Sequence, residues 1–175
     1  MEELISGDAE ELVRLNALRK ARALGEGGAP ARAKNVLGTP PSQPDRFVIA
    51  CDTDVVLDGE VLGKPGSPSE AREYLNRMSG RAHTVMSGLV VVADGEERVG
   101  VERTTVVFKH LSDAEKERYV AFGEWEGRSG GYAVQTLGSS LVARLEGSVS
   151  NVVGLPVGLL AELAPDLFVR AGSGP

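Results

Sequence analysis

Two Asp-Gly dipeptides, Asp58-Gly59 and Asp94-Gly95, each fall between runs rich in β-branched residues, and they constrain this chain more than any other feature. Asp-Gly at such a place signals a tight hairpin, because both turn residues tolerate the backbone that matches strand twist. The first turn follows FVIACDTDVVL, read as a strand at 47–49, a polar interruption and a second strand piece at 55–57, and the chain returns through Val61-Leu62. The second joins segments 82–92 and 97–109, predicted to lie side by side as antiparallel strands.

Helical patterns separate and follow these hairpins. Over 8–24, Leu12, Leu15, Leu18 and Ala21 recur at helical spacing, with Asp8 as the expected cap and Gly25 as the stop. Over 69–78, Ala71, Leu75 and Met78 share one face, with Ser67 or Ser69 as cap and Gly80 as stop. Ser112 and Glu115 form a capping-box pattern opening a helix that runs to about residue 122, where Gly123 can end it. After a polar loop at 124–132, short strands are expected at 133–137 and 140–145, then a turn at Gly147 and a last helix at 157–163. Residues 25–45, GEGGAPARAKNVLGTPPSQPD, show no period and are expected to form a long loop, and 171–175 a frayed tail. Strands interleaved with helices, plus antiparallel hairpins, indicate an α/β fold on a mixed sheet, and 175 residues suit a single domain over 1–175.

Composition narrows the function. A net charge of −6 gives no general attraction to nucleic-acid backbones, and no basic run compensates, so nucleic acid is not expected as a partner. Small phosphorylated ligands stay compatible, because a pocket needs only a few cations. Cys51 is the single cysteine, which leaves neither a disulfide nor a zinc cluster and fits a reducing cytoplasm. The acidic MEELISGDAEELV start lacks a signal-type apolar stretch, and no apolar run approaches the roughly 20 residues of a membrane span. A soluble cytoplasmic protein without membrane contact is expected.

Candidate chemistry concentrates around Asp52, which follows the apolar FVIAC and is expected at a strand end, where a carboxylate suits a metal ligand or general base. Asp54, two residues on, shares its face along an extended chain and could help hold a divalent cation. Lys64, between Gly63 and Pro65, suits a phosphate contact, and Lys20 lies in the cationic run LRKARAL. Gln135 offers a donor and an acceptor to a base edge, and Arg128 a bidentate phosphate clamp. Each of these residues taken alone also reads as an ordinary surface or turn residue, so the weight comes from their combination. No G-x-x-x-x-G-K-[ST] or G-x-G-x-x-G is present, Ser6, Ser87, Ser139 and Ser140 lack a G-x-S-x-G elbow, and His83 and His110 lack metal-binding spacing, so His83 reads as structural.

In order, IACDTDVVLDGEVLGKP, LNRMSGRAHTVMSG, TTVVF, GGYAVQTLG and LEGSVSNVVGLP resemble the successive signature blocks of the Maf family (septum formation protein Maf), over about residues 8–163. The resemblance implies an α/β fold on a mixed twisted sheet with flanking helices and a central nucleotide-binding cleft. It implies a nucleotide pyrophosphatase using a divalent metal, Mg or Mn, to cut a nucleoside triphosphate into monophosphate and pyrophosphate. By position, Asp52 matches the proposed proton acceptor, Thr53 and Gln135 match positions tied to nucleotide choice, and Lys20 and Lys64 match phosphate-side lysines. Thr53 with Gln135 resembles the branch preferring dTTP and UTP, from which the 7-methyl-GTP branch departs.

The chain also departs from that pattern. Family members begin with an apolar strand, a Ser-x-Ser-Pro-Arg-Arg loop and an acidic stretch, and this sequence starts after all three, so the domain is expected to be N-terminally incomplete. Arg128 stands where lysine is usual and Gly127 where Asp is usual. Two alternatives follow: a catalytically impaired nucleotide-binding or regulatory relative, and a homodimer that hides the edge left by a missing strand.

Overall fold

The computed structural model describes residues 2–25, 47–93 and 95–170. The expected loop beyond Gly25, Asp94 of the second turn and the expected tail at 171–175 lie outside the described residues. Among the described residues, five strands form one sheet in the order β2-β1-β3-β4-β5: β1 Phe47–Leu57, β2 Glu60–Leu62, β3 Ala82–Ala93, β4 Glu96–Phe108 and β5 Val142–Glu146. Every pairing among them is antiparallel. Asp58 (φ 52°) and Gly59 (φ 79°) make the expected first hairpin turn, both in the left-handed region, and set Leu57 opposite Glu60. The α/β architecture of a sheet flanked by helices agrees with expectation.

One correction bears directly on function. β1 runs unbroken through Cys51, Asp52, Thr53 and Asp54, because β3 pairs with it continuously from Phe47↔Ala93 to Val56↔Thr84. Asp52 therefore sits in mid-strand, opposite Gly88, and not at a strand end. Side chains alternate along a strand, so Thr53 faces one side of the sheet while Asp52 and Asp54 face the other.

The Thr53 face carries most of the helices. At one end, Val55, Leu57 and Val85 pack with Ala71, Leu75 and Met78 of α2 (Pro68–Met78) and Tyr119 of α3 (Asp113–Phe122). At the other, Leu89 and Val91 pack with Leu160 of α5 (Val157–Leu163) and Ala164, just before α6 (Pro165–Arg170). Between these two clusters a gap opens over Thr53 and its cross-strand partner Ser87. Ser67, not Ser69, caps α2 by accepting from Glu70 N–H, and α3 has the expected capping box and a left-handed Gly123.

The opposite face is covered by α1, which spans Glu2–Gly25 and so begins before Asp8, the expected cap. Its buried stripe is Ala9, Val13, Ala17 and Ala21, whereas Leu12 and Leu15 of the predicted apolar face are about 40% exposed. The cause lies across the interface. A Cβ at Gly88 would come within 2.4 Å of the Val13 carbonyl oxygen, so the helix backbone rests directly on β3 and the contact takes small residues.

Residues 133–137, predicted as a strand, instead form a turn leading into a 3₁₀ helix, Leu137–Leu141. The backbone doubles back so tightly there that a Cβ on Gly138 would lie 2.1 Å from the Ala133 oxygen, and Glu124 accepts the Gly138 N–H at 2.7 Å. The strand expected at 140–145 begins only at Val142. An unexpected short helix α4, Val149–Val153, capped by Ser148, precedes α5.

Candidate functional site

The gap above Thr53 is a pocket of about 140 Å³. Thr53 and Val55 come from β1 and Val85 from β3, while Lys64 follows β2. Gly127 to Ser129 with Tyr132 and Ala133 supply one rim, and Val152 to Gly154 of the α4 region another. Four residues singled out from sequence, Thr53, Lys64, Arg128 and Gln135, therefore meet in one place. On the floor, the Thr53 and fully buried Ser87 hydroxyls are 2.7 Å apart.

The walls are fixed by buried polar contacts. Asn151, fully buried, donates from Nδ2 to the Val85 carbonyl (3.1 Å) and to Thr104 Oγ1 (3.0 Å), while Ser148 N–H also donates to that hydroxyl. This holds α4, and with it Val152 to Gly154, against the sheet. On the other rim, Tyr132 Oη lies 2.8 Å from His83 Nε2, and both rings stack edge-on with Phe108. His83 is structural, as the sequence indicated. Burial pushes its imidazole down to about 4 from an ordinary 6.5, so it stays neutral in the fold.

The sign of the resulting pH dependence follows by linkage. Between those two values the unfolded chain binds a proton at His83 that the native protein refuses, so this contribution is present above pH 6.5 and lost as pH falls towards 4. The expected loss is about 3 kcal/mol over that window. Denaturant unfolding at pH 4.5 and 7 for the wild type and His83→Gln checks it. A wild-type curve as flat as that of the variant would refute the assignment.

On the other face of the sheet, α1 holds Asp52. The Lys20 ammonium pairs with Asp52 Oδ1 and also donates to the Cys51 carbonyl at 3.0 Å, while Asn16 Nδ2 donates to Asp52 Oδ2 at 2.9 Å. Asn16 precedes Lys20 by one helical turn, a spacing that places both over the same strand. Asp54 is held differently. Ser129 Oγ lies 2.9 Å from Asp54 Oδ1 and 2.8 Å from the Leu62 carbonyl, and accepts from Val55 N–H at 3.2 Å. Burial raises the Asp54 carboxyl above its ordinary value, and the Ser129 hydrogen bond works in the opposite direction.

The sequence-derived set thus divides: Lys20, Asp52 and Asp54 on the α1 face, and Thr53, Lys64, Arg128 and Gln135 around the pocket. Asn16, Ser87, Ser129 and Asn151 escaped sequence reasoning. Asn16 carried a usable signal in its helical spacing from Lys20, and Ser129 in its adjacency to Arg128. Ser87 and Asn151 carried none, since their roles depend on pairing between distant strands.

The sequence profile of the family described as Maf-like protein matches residues 1–167. This chain belongs to the Maf-like family. Among curated relatives, it is 38% identical over 170 residues to a Deinococcus radiodurans protein named dTTP/UTP pyrophosphatase, covering 97% of this chain and 84% of that protein. A Pyrococcus abyssi protein of the same name is 40% identical over 143 residues, covering 82% and 76% of the two chains. One from Moorella thermoacetica, also so named, reaches 47% over 121 residues, covering 68% and 62%.

Against that membership, the donor set of this Maf-family chain can be compared with the divalent metal that the family resemblance implies. Among the described residues, no group of three or more His, Cys, Asp or Glu side chains converges on one point. Asp52 and Asp54, on one face of β1, offer two carboxylates. That arrangement fits a magnesium-type ion, which typically takes one or two carboxylates and completes its shell with water and substrate phosphates, and does not fit an all-protein cage. No described helix is long and apolar enough to cross a membrane.

Proposed function

We propose that this Maf-family protein is a nucleoside triphosphate pyrophosphatase acting on dTTP and UTP, releasing the monophosphate and pyrophosphate. The observation that carries the proposal is the meeting of Thr53, Lys64, Arg128 and Gln135 in one pocket, with Ser129 on its rim in contact with Asp54. The names of the relatives point the same way.

In this reading Thr53 and Gln135 bind the pyrimidine base, presenting hydroxyl and amide groups to its carbonyl and imide edge. Lys64 and Arg128 neutralise phosphate oxygens, Lys64 as a point charge and Arg128 as a planar fork. Asp52 orients the attacking water and accepts its proton. Its two oxygens offer about four lone-pair sites, so the bonds from Lys20 and Asn16 leave acceptor capacity for water. Lys20 orients Asp52 and adds positive charge on the phosphate side. Asp52 and Asp54 would hold Mg²⁺ or Mn²⁺, which when bound supplies charge neutralisation on the phosphate oxygens. A cytoplasmic setting belongs to the same reading, since Cys51 is a free thiol.

The test is product analysis for UTP, dTTP, CTP and 7-methyl-GTP with Mg²⁺ or Mn²⁺. Expected are UMP or dTMP with pyrophosphate, and kcat/KM at least about tenfold higher for UTP and dTTP than for the other two, the step one mispaired polar contact produces. Nucleotide binding without any release of pyrophosphate would instead establish the catalytically impaired relative.

A further inference from the structure

We infer that Ser129 is a positioning residue for the proposed reaction, joining the carboxylate side of the site to its phosphate side. The inference rests on the pyrophosphatase reading above. Its starting point is geometric: Asp52 and Asp54 face α1, while the pocket opens on the other face of the same strand. A nucleotide whose base lies on Thr53 and whose phosphates lie on Lys64 and Arg128 can bring those phosphates to the carboxylates only around the edge of β1 that faces away from β3. Ser129 lies at that edge, where the pairing of β1 with β2 ends at Val55↔Leu62. Among the described residues it is the one side chain that both lines the pocket and hydrogen-bonds a candidate carboxylate.

Its placement is over-determined. The hydroxyl has one proton and two acceptors at nearly equal distance, the Leu62 carbonyl and Asp54, and it accepts the Val55 N–H as well. The following residue locks the loop: Gly130 N–H donates to the Gly63 carbonyl at 3.0 Å. Gly130 has φ 68°, and a Cβ there would fall 2.7 Å from the Val55 side chain. The loop thus lies flat on Val55 with Ser129 aimed at the strand edge and Arg128 next to it. Ser129 sets the orientation of the Asp54 carboxylate and its distance from the cation at Arg128. Loss of the hydroxyl frees Asp54 to rotate and leaves Leu62 O and Val55 N–H without this partner.

The experiment compares the full chain with Ser129→Ala, Ser129→Thr and Ser129→Cys, reading steady-state kinetics on UTP, thermal stability, and Mn²⁺ binding by electron paramagnetic resonance without nucleotide. Expected for Ser129→Ala is a kcat reduced about 10–100-fold with KM for UTP changed less than about threefold, and Mn²⁺ affinity weakened about tenfold. Ser129→Thr, which keeps the hydroxyl, restores both to within about threefold. Should Ser129→Ala fail to fold, Ser129→Cys, of similar size but a poor hydrogen-bond donor, is expected to show the same kcat and Mn²⁺ losses. An active wild type whose folded Ala or Cys variant retains kcat and Mn²⁺ affinity within about twofold overturns the role of Ser129. So does a Thr variant that folds without restoring them. A wild type that releases no pyrophosphate overturns the underlying reading, and the positioning role with it.

Discussion

Asp52→Asn is expected to lower kcat for pyrophosphate release from UTP by about 10²–10⁴-fold while leaving the fold intact, the range for loss of a positioned general base. The substitution preserves shape and removes charge. Strand pairing at this position, opposite Gly88, is made by backbone and is untouched. The asparagine oxygen can still accept from Lys20 or Asn16, so one α1 contact survives. Stability should change little. Lys20 is 53% exposed at its side chain, and an ion pair that open to water contributes at most about 1 kcal/mol. Parallel measurement of kcat and of the thermal midpoint separates the two effects. A fall in kcat of less than about tenfold would remove Asp52 from the role of base.

Gly88→Val is expected to reduce both stability and activity. The new side chain would collide with backbone, at 2.4 Å from the Val13 oxygen, 2.6 Å from its carbonyl carbon and 2.8 Å from Arg14 N, none of which can rotate away. Overpacking of this kind costs about 1–3 kcal/mol, relieved only if α1 lifts off β3. Lifting α1 also withdraws Asn16 and Lys20 from Asp52, so kcat should fall about 10–100-fold, as expected when groups that orient a catalytic residue are lost. Gly63→Ala supplies the contrast, because a Cβ there meets nothing within 4 Å. Urea unfolding and UTP kinetics on both variants test the argument. A Gly88→Val protein as stable and active as the wild type would show that α1 does not need its present seat.

The parts of this protein that were legible in the sequence share a physical character. The Asp58-Gly59 turn, the Ser112–Glu115 capping box and the Gly123 stop each act through the backbone of a few neighbouring residues, so their geometry is encoded where they stand. The reading of 133–137 as a strand failed because the decisive contacts came from elsewhere: Glu124 on Gly138 N–H and the Tyr119 hydroxyl on Ala133 N–H. Leu12 and Leu15 had the right period and the wrong face, because what β3 could accept against α1 was decided by the missing side chain of Gly88.

The candidate site divides along the same line. Residue types singled out Lys20, Asp52, Asp54, Lys64, Arg128 and Gln135 as candidates, because phosphate and base chemistry restrict which side chains can serve, and the family resemblance added Thr53. Alternation along a strand then guarantees that Asp52 and Thr53 point to opposite faces once β1 is continuous, and that continuity is imposed by pairing with β3. Local sequence therefore determined the hairpins, the caps of α2 and α3 and the inventory of candidate groups, since each depends on near neighbours or on side-chain chemistry alone. Only the tertiary structure decided which face of α1 is buried, that Asn16 and Lys20 reach Asp52, and that Ser129 meets Asp54 at the strand edge. Those contacts join residues far apart in the chain, and packing against the sheet is what brings them together.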